Sequence, residues 1–71
     1  MGMTKKELIK ELKKKIEWYG DLIKGARRSL KQNIDEGYLL HSIVGTIKTI
    51  QFMEIKKEAY EEILDMLEGK L

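Results

Sequence analysis

Ile9, Leu12, Ile16, Tyr19, Ile23, Ala26 and Leu30 recur at alternating steps of three and four. A strand scatters residues at that spacing over both of its faces, whereas a helix gathers all of them into one stripe. Just upstream, Thr4-Lys5-Lys6-Glu7 has the form of a capping box, in which the Thr4 hydroxyl accepts from the Glu7 amide while Glu7 reaches back. Leu8 and Leu22 widen the stripe. The pattern predicts a helix over 5–32, about 42 Å long. Gly20 and Gly25 weaken it by up to ~1 kcal/mol each relative to alanine, which suits a close helix contact or a gentle bend.

Asn33-Ile34-Asp35-Glu36-Gly37 is the only interior cluster of turn-forming residues. Asn33 can end the first helix in a left-handed conformation, and Asp35 can cap the next one. A connection over 33–37 between long helices makes them antiparallel neighbours. The second helix is expected over 38–68. Leu39, Ile43, Thr46, Ile50, Met53, Tyr60, Leu64 and Leu67 form its seam, broken only by Lys57. Its flanks change sides along the chain. Leu40, Val44 and Ile47 lie on one flank early, and Phe52, Ile55, Ala59, Ile63 and Met66 on the other flank later. A helix paired with one neighbour needs no second apolar flank, but a helix in a bundle does. A rival reading makes Ile43 to Ile50 a β-hairpin turning at Gly45-Thr46, because β-branched residues are dense there. That register yields no clean apolar face, so at most a kink near Gly45 is expected.

Charge supports the antiparallel arrangement. Residues 1–34 carry ten Lys/Arg and four Asp/Glu, and residues 35–71 carry four and eight, so net charges of +6 and −4 make up the overall +2. An antiparallel hairpin lays the basic stretch 5–15 beside the acidic stretch 54–68. Its 71 residues would bury only a thin core, and chains below roughly 70–80 residues usually need a staple or a partner. With no cysteine, disulfides and thiolate metal sites are excluded, and the one histidine, His41, cannot build a zinc site without carboxylates or a symmetry mate. Self-association is what remains. No apolar run approaches the ~18–20 residues of a membrane span. Met1-Gly2-Met3-Thr4-Lys5-Lys6 leads into charged residues rather than a signal-peptide core. A cytoplasmic location without membrane contact is therefore expected.

Three groups invite a functional reading. Glu58-x-x-Glu61 and Glu62-x-x-Asp65 resemble the paired carboxylates with which all-α nucleotide pyrophosphohydrolases hold magnesium. The resemblance covers eight residues, and the first helix offers no matching acidic pair. Glutamates at this spacing equally form a solvated face that pairs with lysines. Lys24, Arg27, Arg28, Lys31 and Lys48 form a basic group near the turn, with His41 expected beside Leu30 and Arg27, and Lys48 opposite Lys24. Arginines favour phosphate and carboxylate, so this group could follow a nucleic-acid backbone. No aromatic residues interleave with it and the net charge is small, so cations countering a helix dipole fit it as well. Trp18, about a quarter turn off the stripe, suits an interface. His41-Ser42 lacks a partner acid, and adjacent helical residues point about 100° apart, so no nucleophile is expected there.

The sequence therefore reads as an all-α antiparallel hairpin that pairs into a dimeric four-helix bundle. The architecture resembles small RNA-binding helical-hairpin dimers that regulate plasmid copy number, and that analogy of fold carries no function. The expected role is a non-enzymatic interaction module, a small regulatory or accessory factor without metal or cofactor. Trp18, Phe52, Ile55, Ala59, Ile63 and Met66 are the expected interface with a second copy, or with another protein. Nucleic-acid binding through the basic group is the alternative.

Overall fold

In the computed structural model, which describes residues 2–70, the chain folds into two antiparallel helices joined by a short turn. Helix α1 spans Lys5–Asp35 and α2 spans Leu40–Leu67. Thr4 starts α1 as read from the sequence: its hydroxyl accepts from the Glu7 amide at 3.2 Å. That hydroxyl donates its own proton to the Glu7 carboxylate at 3.1 Å.

The end of α1 differs from the expectation. Asn33 and Asp35 lie inside the helix, and the left-handed residue is Gly37, with φ +74°. The Gly37 and Tyr38 amides donate to the carbonyls of Ile34 and Asn33, at 3.2 and 3.0 Å. This is the Schellman arrangement, and glycine takes the left-handed position at less cost than asparagine. Gly69, with φ +73°, ends α2 in the same way, and the Lys70 amide donates to the Asp65 carbonyl at 2.8 Å. The start of α2 is bare by comparison. Leu39 occupies the N-cap and makes no side-chain capping bond.

Helix α2 runs unbroken through Gly45, and no described residue is in a strand. The β-branched stretch is accommodated because the hydroxyls of Thr46 and Thr49 donate to the carbonyls of Ser42 and Gly45, at 3.1 and 3.0 Å. Such back-bonding satisfies threonine within a helix.

The two seams meet where the spacing places them. Ile9, Leu12, Ile16, Tyr19, Ile23, Ala26 and Leu30 are the buried or half-buried apolar positions of α1. Ile43, Thr46, Ile50, Met53, Tyr60, Leu64 and Leu67 answer them from α2. Tyr19 and Tyr60 stack across the seam with centroids 5.8 Å apart. Leu39 is not part of this seam: it stands in the turn and is 68% exposed. Lys57 does occupy its seam position. Its stem passes Gly20, where an added Cβ would lie 3.7 Å from the lysine Cε, and its ammonium reaches Glu61 at 3.3 Å. The long aliphatic stem covers apolar surface while the charge stays in solvent.

The resulting core is thin. Only Leu12, Ile23 and Ile50 are buried among the described residues, and each keeps 5–8% of its surface exposed. The hairpin measures 48 × 22 × 18 Å with a radius of gyration of 15.8 Å, against about 11 Å for a compact chain of this length.

Candidate interaction surfaces

Cross-helix ion pairs reveal how the two flanks of the hairpin differ. Lys13 meets Glu68 at 3.7 Å and Arg27 meets Glu54 at 2.7 Å. These pairs are two heptads apart on each helix, so they lie on one edge of the hairpin. The intervening step on that edge is Gly20 with Glu61, and the next step toward the turn is Ile34 with Ile47. Seven-residue spacing thus builds a ladder: Lys13/Glu68, Gly20/Glu61, Arg27/Glu54, Ile34/Ile47. Around its middle rungs lies an open groove of about 460 Å³, bordered by Lys24, Arg27, Glu54, Lys57, Glu58 and Glu61. This side is the charged edge of the hairpin.

The opposite edge is apolar. From α1 it carries Leu8, Trp18 and Leu22, and from α2 Phe52, Ala59, Ile63 and Met66, with Ile55 on the adjoining outer row of α2. Every one of these side chains is exposed in the single chain. Trp18 is 52% exposed and Ile63 43%. The Trp18 ring packs edge-on against Tyr19 with centroids 4.9 Å apart, which fixes its orientation beside the core. Two lysines lie on this edge, and each sits over a ring: Lys15 is 5.4 Å from the Trp18 centroid and Lys56 is 5.2 Å from that of Phe52. Their stems can stay against apolar surface as the ammonium groups swing outward. All six expected interface residues, Trp18, Phe52, Ile55, Ala59, Ile63 and Met66, therefore fall on this edge or the row beside it.

The basic group is more dispersed than its sequence spacing implied. Lys24, Arg27 and Lys31 belong to the charged edge, whereas Arg28 and Lys48 lie on the outer rows of α1 and α2. The ladder sets Lys57, not Lys48, level with Lys24. It sets His41, exposed in the first turn of α2, beyond the end of α1 and not beside Leu30 and Arg27. Arg27 is compensated from across the hairpin, because Glu54 on α2 holds it. Cross-helix partners of this kind cannot be assigned until the register between the helices is known.

The acidic residues of α2 do not converge. Glu61 is engaged by Lys57, and among the described residues no three acidic or histidine side chains are grouped to hold a metal ion. No described helix is long and apolar enough to cross a membrane. Comparison of the chain with protein-family models, curated proteins and solved structures finds no match.

Proposed function

We propose that this protein is a non-enzymatic interaction module whose apolar edge pairs with a second copy of the chain, making a four-helix bundle. One observation carries the reading: the surface is too large for so small a chain. It amounts to 5772 Å², about 1,200 Å² more than the ~4,600 Å² expected for a compact monomer of this mass. Burying that excess on each of two copies gives an interface of about 2,400 Å², within the range of obligate dimers. The apolar edge is the longest surface able to supply it, and each chain would gain a second layer of core. Nucleic-acid binding through Lys24, Arg27, Arg28, Lys31 and Lys48 has weaker support, since Arg27 is already paired.

The test is absolute mass by light scattering after size exclusion, over a hundredfold range of concentration. A dimer or larger is expected, and Ile63→Asp should yield monomer or unfolded chain, because a buried carboxylate costs several kcal/mol. Wild-type protein that remains folded and monomeric at every concentration refutes the proposal. So does an Ile63→Asp variant with an unchanged dimer mass.

A further inference from the structure

The charged edge changes character at its last rung. Ile34 and Ile47 stand where the previous rung has Arg27 and Glu54, and Leu40 and Val44 precede Ile47 by seven and three residues on the same face of α2. These four make an apolar strip beside the turn, from 37% exposed at Ile47 to 75% at Leu40. Its borders are basic. Lys31 lies next to Ile34 on α1, with Arg28 on the row beyond, while His41 and Lys48 line the outer row of α2. Two acids stand near these cations: Asp35 follows Arg28 on the outer row of α1, and Glu36 accepts from the Gln32 side chain at 3.1 Å. Glu54 is held by Arg27, so on α2 His41 and Lys48 border the strip without an ion-pair partner among the described residues.

We propose that this strip docks an acidic amphipathic helix of a partner protein. Apolar residues at i, i+4 and i+7 of such a helix would cover Ile34, Leu40, Val44 and Ile47, and its flanking carboxylates would reach Lys31, Arg28 and Lys48. An apolar centre between cationic borders matches that chemistry. A nucleic-acid backbone would leave four aliphatic side chains facing phosphate. The strip lies on the edge opposite the self-pairing surface, so each copy in a dimer presents its own strip. The inference does not depend on dimerisation.

The test uses the full chain and fluorescently labelled model peptides, one amphipathic helix with leucines at the stated spacing and glutamates elsewhere, and its counterpart with lysines replacing the glutamates. Anisotropy should show the glutamate peptide binding at least tenfold more tightly, and less tightly as sodium chloride rises from 50 to 300 mM. Leu40→Asp with Val44→Asp should abolish binding while helicity and solution mass stay unchanged; both residues are exposed, and an acid at Leu40, the first residue of α2, favours the helix dipole. Lys31→Glu with Lys48→Glu should reverse the preference between the peptides. Equal binding of the two peptides, or binding of neither, overturns the proposal. It is also overturned if the Leu40/Val44 variant loses self-association, since a second copy then covers the strip, or if duplex RNA binds the strip in preference to the glutamate peptide.

Discussion

Gly37 and Gly69 perform the same task at the ends of the two helices, and each follows a glutamate at the C-cap. Replacing Gly37 by alanine forces a Cβ into left-handed backbone and should destabilise the fold by about 1 kcal/mol, measured by urea unfolding followed by circular dichroism. Gly25 and Gly45 call for the opposite expectation. Both are helical, and an added Cβ would meet nothing within 4 Å. Alanine at either position should stabilise the single chain by about 0.5–1 kcal/mol in the same assay. The sequence contains both stop signals, as Glu36-Gly37-Tyr38 and Glu68-Gly69-Lys70. Asn33 competes with the first of them because asparagine also tolerates the left-handed region. The lower cost of glycine decides the matter, and α1 gains three residues over the expected end.

At the scale of elements, α1 was almost fully legible because its apolar stripe is narrow and regular. Helix α2 was harder to read. Apolar residues occur on most of its sides, and helix and strand patterns are ambiguous in so mixed a segment. What settles it is partly tertiary, because the heptad positions of α2 face those of α1, and partly local, because threonine back-bonding within α2 absorbs the β-branched run. Leu39 misled because its spacing fits the seam while its place in the turn lifts it away from α1. The thin core sharpens one expectation. Leu12 is 5% exposed, as is Ile50, and truncating such a residue to alanine typically costs 2–5 kcal/mol. The core of a chain this small rarely supplies more than ~3–5 kcal/mol, so Leu12→Ala should abolish cooperative thermal unfolding. Leu8→Ala, on the exposed flank, should leave a sigmoidal transition.

For the molecule as a whole, the edges contribute different kinds of energy. Cross-helix ion pairs such as Lys13–Glu68, with side chains 61% and 24% exposed, set antiparallel orientation and contribute only ~0–1 kcal/mol each. In the proposed dimer the apolar edge contributes through association, which depends on concentration. If folding and pairing are coupled, each tenfold dilution removes about 1.4 kcal/mol, and the melting temperature should fall by several degrees. Differential scanning fluorimetry across a hundredfold concentration range measures this. Sodium chloride at 0.5 M should leave the dimer mass unchanged, because screening reaches the exposed pairs and not the apolar contact. The surface that would pair was legible from the sequence as a flank that changes sides. Leu40, Val44 and Ile47 of its counterpart near the turn were legible as the early flank, and Ile34 joined them only once the register showed which residue of α1 stands beside Ile47.

The ladder along the charged edge makes the length of this protein discontinuous. Removing one residue from the middle of either helix turns everything beyond it by about 100°, bringing seam residues into solvent and charges into the core. Removing a full heptad from both helices at matching levels shortens the rod by about 10 Å and leaves each remaining rung facing its former partner. Shorter or longer versions of this hairpin are therefore reachable only in paired steps of two helical turns, and between the start of α1 and the end of α2 single-residue insertions are tolerated only between Gly37 and Leu40, where the chain passes from one helix to the other.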